Sequence, residues 1–176
     1  MKKIKLALGL LSVLTLVAFI VVESVSWKLK EDGYSVNFKG GKVSGILKGM
    51  KSTILFDEAN PEKSKFSVSL DVTTINTGNG MMNKHAQGTD ALDAKQFPQI
   101  TFESTSVTKK GSAYEATGKL TMKGITKEII VPFTFENKGT EAIFKGKFSV
   151  LPKEFNITKS GTPDNLEIEL TIPVTK

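Results

Sequence analysis

His85 is the one histidine in the chain, and any imidazole-based chemistry would depend on it. Asp90 and Asp93 lie close to it in the sequence, and their carboxylates could join it around a metal ion. Cysteine is absent, and tetrahedral or facial metal sites normally assemble three or more protein ligands. One imidazole without a thiolate is a weak basis for such a site, and we predict that no metal is bound.

The residue types needed for catalysis are equally sparse. No cysteine nucleophile is available, and no Gly-x-Ser-x-Gly segment would hold a serine on the strained turn of a hydrolase. Gly124, Thr126 and Lys127 are residue types found in phosphate-binding loops, but no glycine-rich passage from strand to helix surrounds them. We therefore predict a non-catalytic protein without a cofactor. The alternative is an enzyme that acts on a lipid and depends on His85.

Apolar and polar residues alternate with period two along most of the chain after Trp27. Successive side chains of a strand point to opposite faces, so this period predicts strands with one buried face and one face in water. The clearest strand is predicted at residues 65–75. Similar faces occur in four later segments, 114–122, 129–135, 144–150 and 166–174, and two or three further strands are predicted within 27–38 and 43–56.

Dipeptides that favour tight turns separate these segments at the spacing of a meander, which predicts sequential antiparallel hairpins. They are Asp32-Gly33, Gly40-Gly41, Lys110-Gly111, Lys123-Gly124 and Lys138-Gly139. Closing about eight such strands into a barrel removes every exposed edge. We predict an all-β fold, an antiparallel eight-stranded β-barrel, with a β-sandwich as the alternative. Residues 76–98 are rich in Asn, Gly and Asp, and are predicted to form one long loop with a short helix near 83–93.

The N-terminal segment predicts export. Three lysines precede residues 6–22, a run of 17 residues without a charge. Ser24 and Ser26 then place small side chains at the spacing that a signal peptidase accepts. We predict that residues 1–26 are a signal peptide, with an uncleaved N-terminal anchor as the alternative, and that residues 27–176 form the domain. Both alternatives place the domain outside the cytoplasm, as a periplasmic or secreted protein.

Charge and aromatic content argue against nucleic-acid binding. Residues 27–176 carry 21 basic and 17 acidic side chains, a net charge of +4. The lysines are scattered, and one tryptophan and two tyrosines offer few rings on which bases could stack. We predict no nucleic-acid partner.

Two long motifs follow one another in the middle of the chain. Residues 97–104 read F-P-Q-I-T-F-E-S, and residues 118–127 read G-K-L-T-M-K-G-I-T-K. Shorter motifs precede them at residues 35–38 (S-V-N-F), 54–57 (I-L-F-D, followed by Pro61), 75–77 (I-N-T) and 84–85 (K-H). In this order the motifs resemble the signatures of the YceI-like family of lipocalin-like, polyisoprenoid-binding proteins, over essentially the whole predicted domain.

The resemblance implies a lipocalin-like barrel with an elongated apolar cavity for the tail of an isoprenoid quinone or a related long lipid, in a periplasmic or secreted protein. Three segments depart from the family pattern. Gly40-Gly41 replaces a frequent histidine, residues 81–84 (M-M-N-K) lack an Arg-Asp pair, and residues 153–156 (K-E-F-N) lack an arginine. Polar contacts to a ligand head group are therefore the part of the family pattern that transfers least well.

Ten apolar side chains on the predicted strands are candidates for lining such a cavity. They are Phe38, Phe66, Val68, Leu70, Phe102, Met122, Phe133, Phe135, Phe144 and Phe148, and His85 is the candidate for a contact with a head group or the barrel rim. We predict binding of a long-chain isoprenoid or isoprenoid-quinone-like lipid for carriage, storage or sequestration in the cell envelope, with a membrane surface as lipid source. The alternative is a stress-related structural barrel without a ligand, because close-packed side chains would also account for these residues. The sequence leaves open whether two chains form a homodimer.

Overall fold

Nine β-strands and one α-helix organise residues 25–176, the part of the chain that the computed structural model describes. The strands are β1 (Ser26–Leu29), β2 (Ser35–Gly40), β3 (Val43–Leu55), β4 (Lys65–Asn76), β5 (Gln99–Lys110), β6 (Ala113–Met122), β7 (Ile125–Asn137), β8 (Glu141–Val150) and β9 (Leu166–Thr175). The helix α1 spans Gly80–Gln87, and two short 3-10 helices span Pro61–Lys63 and Pro152–Phe155. The predicted signal peptide lies almost entirely outside the described residues and stays a prediction.

Strands β2 to β9 form a closed antiparallel barrel. Each strand pairs with the next one in the chain, and β9 pairs with β2 to complete the circle. The predicted eight-stranded antiparallel barrel is therefore confirmed, and closure rules out the β-sandwich. The inner face predicted for β6 also agrees with the structure, since Tyr114, Ala116, Leu120 and Met122 are all buried.

One predicted hairpin does not form. β1 and β2 both run antiparallel to β3 and to β9, so together they occupy a single position in the barrel wall. Residues 30–34 interrupt this position without reversing the chain, and the Lys30 amide donates a 2.9 Å hydrogen bond to the Pro173 carbonyl. The hairpin predicted at Asp32-Gly33 is wrong, because β1 and β2 both pair with the same two neighbours, β3 and β9, and therefore run in the same direction.

The wall formed by β3 and β4 is irregular. Their pairing shifts register between Ile46 and Lys48 and again between Lys48 and Lys51, around Gly49, whose φ of +65° suits glycine. As a result the alternation predicted for β4 stops at Leu70. Val72 does not line the barrel cavity, although its side chain is 1% exposed, and its amide donates to the Pro98 carbonyl.

The long connection between β4 and β5 contains the predicted short helix, displaced toward the N-terminus. The side chain of Asn79 accepts hydrogen bonds from the amides of Met81 and Met82, so α1 begins at Gly80 and not near residue 83. The chain from Gly88 to Pro98 is held by turns, including a 2.8 Å bond from the Phe97 amide to the Asp93 carbonyl. Within residues 25–176, no helix has the length and hydrophobicity needed to cross a bilayer.

One end of the barrel is filled by aromatic rings. We call it the closed end, and its connections are residues 56–64, 111–112 and 138–140. Phe56 is 1% exposed, and five aromatic ring centroids lie within 6.0 Å of its own. These rings belong to Phe66, Tyr114, Phe133, Phe135 and Phe144. Trp27 joins them by packing edge-on against Phe135 and donating its indole N–H to the Phe56 carbonyl at 3.1 Å.

Candidate functional site: the barrel cavity

A cavity of about 450 Å³ occupies the barrel on the far side of these rings. All eight strands from β2 to β9 contribute to its wall, together with α1 and residues 159–163. Pockets that bind small ligands typically enclose about 300–1,000 Å³. The barrel therefore has room for a ligand between its own side chains.

The cavity reaches the end of the barrel opposite the aromatic cluster. We call this the mouth end, and its connections are residues 41–42, 77–98, 123–124 and 151–165. The cavity has six lining residues with polar side chains, and apart from Thr101 they all come from the mouth-end connections: Thr77, His85, Lys159, Ser160 and Thr162. The remaining wall is built from apolar side chains and glycine backbone. The site is therefore apolar along its length and polar where it opens.

Nine of the ten predicted cavity residues surround this cavity: Phe38, Phe66, Val68, Leu70, Phe102, Met122, Phe133, Phe144 and Phe148. Phe135 does not line it. Its ring lies in the aromatic cluster, with centroids 4.7 Å from those of Phe56 and Phe144, because its place on β7 is two residues closer to the closed end than Phe133. Contact of these side chains with a ligand stays a prediction.

Several lining residues were missed by the sequence analysis. Met50 escaped notice because the bulge at Gly49 breaks the alternation of β3. Leu92 and Ile157 lie in connections without strand periodicity, so no sequence signal identified them. Leu166, Ile168 and Leu170 were not among the candidates either, although their alternation on β9 was a signal that could have identified them.

Two interior glycines allow phenyl rings to lie close to the backbone of the cavity wall. A Cβ atom at Gly118 would lie 2.6 Å from Cζ of Phe102, and one at Gly45 would lie 2.6 Å from Cζ of Phe38. Real Cβ atoms do not approach carbon so closely, so any larger residue would displace a ring that lines the cavity. The positions of both rings therefore depend on these glycines.

At the mouth, an ion pair joins two connections that are distant in sequence. Lys159 Nζ lies 2.5 Å from Asp90 Oδ2 and so links residues 151–165 to residues 77–98. The hydrogen bond from Lys159 lowers the pKa of the Asp90 carboxyl from its ordinary value of 3.8, and the positive charge of Lys159 acts in the same direction. His85 is exposed at this edge of the cavity. The mouth is thus the part of the site where a polar group of a ligand would find partners.

No metal centre is formed around His85 by the described residues. Across residues 25–176, no three His, Cys, Asp or Glu side chains come close enough together to hold a metal ion. Within residues 25–176 the site thus combines an apolar wall with polar and charged side chains at its opening.

A closed eight-stranded antiparallel barrel with an apolar cavity defines a lipocalin-like barrel protein. The family model described as YceI-like domain matches residues 27–175. The chain belongs to this family, as the sequence motifs predicted.

Individual relatives agree with this assignment. Protein YceI of Salmonella arizonae is 34% identical over 160 residues, covering 85% of this chain and 78% of the relative. The crystal structure of Burkholderia cenocepacia BcnA is 26% identical, with a TM-score of 0.78, over 84% of this chain and 100% of that chain. A polyisoprenoid binding domain from Saccharophagus degradans, implicated in plant cell wall breakdown, is 9% identical with a TM-score of 0.66, over 85% of this chain and 97% of that chain. This last similarity shows the fold alone.

Proposed function

We propose that the protein binds a long-chain isoprenoid or isoprenoid-quinone-like lipid in the barrel cavity and does not catalyse a reaction. The observation that carries this proposal is the cavity of about 450 Å³, which is apolar from the aromatic cluster to a polar mouth. Such a gradient matches an amphiphile whose tail enters first and whose head group stays at the opening.

Affinity in this site comes from burial of the tail. Each methylene group removed from water contributes about 0.8 kcal/mol. Polar contacts are confined to the mouth, where the head group exchanges water for side chains such as Thr162 and Lys159 with a modest net gain. The protein therefore discriminates chain length better than head group.

The cavity and the relatives both support a lipid carrier over the alternatives. A barrel filled by its own side chains would leave no space of this size, because protein interiors pack densely. A lipid-metabolising enzyme would need a reactive group facing the cavity, and the one imidazole there, that of His85, is exposed at the rim. The structural neighbour from Saccharophagus degradans is a polyisoprenoid binding domain, which favours the same ligand class.

We place this activity in the cell envelope. The basic and apolar N-terminal segment directs export, as a signal peptide or as an anchor, so the barrel acts in the periplasm or outside the cell. Carriage, storage or sequestration of the lipid are the roles that such a protein fills there, with a membrane as lipid source.

Mass spectrometry of an organic extract tests the proposal. The exported protein is purified without detergent, and we expect about one long-chain lipid per barrel. Val68→Trp places a large ring in the cavity and should sharply reduce the lipid content, whereas the matched change Ile130→Trp, at an exposed residue of β7, should leave it unchanged. A folded wild-type protein that carries no lipid and takes up no added quinone would instead establish the structural barrel.

A further inference from the structure

We propose that the mouth end docks on an anionic membrane surface, with Met81 and Leu151 entering the bilayer interface and the surrounding lysines contacting acidic head groups. This inference rests on the proposed function, because docking gives the lipid a path between the bilayer and the cavity. It adds the partner, the face of the barrel that meets it and the residues responsible.

Exposed apolar side chains are concentrated at the mouth end. Four large apolar residues of the described chain are exposed, and three of them belong to mouth-end connections: Met81 (69%), Met82 (37%) and Leu151 (46%). Met82 also lines the cavity, so the exposed apolar surface continues into the binding site. The fourth residue, Ile130 (55%), lies on the barrel wall within β7. Single exposed apolar residues are common, but their grouping around the opening of a lipid cavity indicates contact with lipid.

The connections at the two ends of the barrel also differ in net charge. The mouth-end connections contain six lysines and four carboxylates, a net charge of +2, with His85 counted as neutral. The closed-end connections contain two lysines and three carboxylates, a net charge of −1. An anionic surface would therefore attract the mouth end and orient the barrel toward it.

Three of the six mouth-end lysines are available for such contacts. Lys153 and Lys159 form ion pairs with Asp164 and Asp90. The ion pairs among residues 25–176 include none of the other four, Lys42, Lys84, Lys95 and Lys123. Of these, Lys123 donates a 2.9 Å hydrogen bond from its ammonium to the Asn156 carbonyl. A lysine that is not neutralised by a neighbouring carboxylate keeps its full attraction for acidic lipids within a Debye length of the surface.

Contact with the bilayer would prevent the lipid tail from being exposed to water during transfer. A long lipid that left the cavity through water would expose its whole tail, whereas transfer through a docked mouth keeps the tail in an apolar environment. Methionine suits this position because its unbranched, polarisable side chain adapts to irregular apolar surroundings. Exposed apolar side chains combined with lysines on one face are the pattern by which proteins bind at membrane interfaces.

Vesicle flotation tests the apolar part of the surface. The exported wild-type protein is mixed with phosphatidylglycerol–phosphatidylethanolamine vesicles or with pure phosphatidylcholine vesicles, and we expect stronger binding to the anionic ones. The double change Met81→Asp with Leu151→Asp should weaken this binding about tenfold or more. Ile130→Asp places one carboxylate, in place of two, at an exposed apolar position of the barrel wall and should leave vesicle binding unchanged. Equal binding by both variants and the wild type would overturn the proposal.

A charge-reversal pair tests the electrostatic part with a matched control. Lys42→Glu with Lys84→Glu should lower binding to the anionic vesicles about tenfold or more at low salt, and less at high salt. Lys63→Glu with Lys138→Glu changes the net charge by the same amount at the closed end and should have a much smaller effect. Equal losses in the two pairs would show that net charge alone acts and would overturn docking by the mouth.

Lipid content, measured by mass spectrometry on the same preparations, separates this inference from the proposed function. Wild-type protein that contains a lipid but ignores vesicles of both compositions would overturn docking and leave lipid binding intact. Protein without lipid that still binds anionic vesicles through Met81 and Leu151 would support docking and count against the proposed cargo.

Discussion

At the scale of single residues, two contacts between phenyl rings and glycines join the two longest sequence motifs. Phe102 lies against Gly118, and Phe97 lies against Gly124 in the turn between β6 and β7. A Cβ atom at Gly124 would lie 2.6 Å from Cε1 of Phe97, and its φ of +74° is a conformation that suits glycine. The motif F-P-Q-I-T-F-E-S therefore needs both glycines of the motif that follows it.

Gly124→Ala should destabilise the barrel more than Gly111→Ala. Both glycines have left-handed backbones, but a Cβ atom at Gly111, φ +62°, would meet no atom within 4 Å. Gly111→Ala should therefore cost about 1–2 kcal/mol from the backbone alone. Gly124→Ala should cost about 1–3 kcal/mol more, because the Phe97 ring must also move. Urea unfolding measures both free energies, and equal losses would show that the ring contact does not constrain Gly124.

At the scale of elements, the connections at the two barrel ends have different roles. Residues 56–64 close one end because Phe56, directly after β3, inserts its ring among those of β4, β6, β7 and β8. Residues 77–98 and 151–165 surround the other end, and the pair of Lys159 and Asp90 holds them together without filling the space between them. The aromatic packing and the opening of the cavity thus lie at opposite ends of the same strands.

Phe56→Ala should destabilise the protein strongly, and Phe148→Ala should do so much less. Removing the Phe56 ring leaves a void at the centre of the aromatic cluster and should cost about 3–5 kcal/mol. Phe148 is only partly buried and already faces the cavity, so its truncation removes fewer packing contacts. Guanidinium chloride unfolding in the absence of added lipid distinguishes the two. Similar losses would mean that the cavity wall and the aromatic cluster are packed alike.

At the scale of the whole molecule, closure of the barrel determines how a ligand enters. With the closed end occupied by rings, the cavity is reached from the mouth, and a long tail must lie along the barrel axis. For the lipid ligand proposed above, the length of tail that is buried should then decide the binding free energy more than the chemistry of the head group.

Affinity for a series of isoprenoid quinones should rise with tail length and then level off. Each added methylene equivalent should strengthen binding about fourfold, the equivalent of 0.8 kcal/mol, until the tail fills the cavity. Replacing the quinone head group by an alcohol at constant tail length should change affinity much less. Isothermal titration calorimetry on the delipidated protein measures both trends. An affinity that follows the head group and ignores tail length would contradict burial of the tail as the source of binding.

The sequence by itself determined the antiparallel all-β class, most of the strand faces and the family. Alternation is a local property, because successive side chains of a strand take opposite faces whatever the rest of the chain does. It therefore identified Phe102, Met122 and Phe148 as inward-facing before their neighbours were known. The motifs at residues 97–104 and 118–127 indicated the family by resemblance, and the family match over residues 27–175 agrees with them.

Only the tertiary structure decided which inward-facing residues line a cavity and which fill the closed end. Phe133 and Phe135 share one face of β7, yet Phe133 reaches the cavity and Phe135 packs against Trp27. The tertiary structure also decided that the chain does not reverse at Asp32-Gly33 and that Lys159 forms an ion pair with Asp90. Each outcome depends on contacts between segments that are distant in sequence, and such contacts leave no periodic trace in the order of the residues.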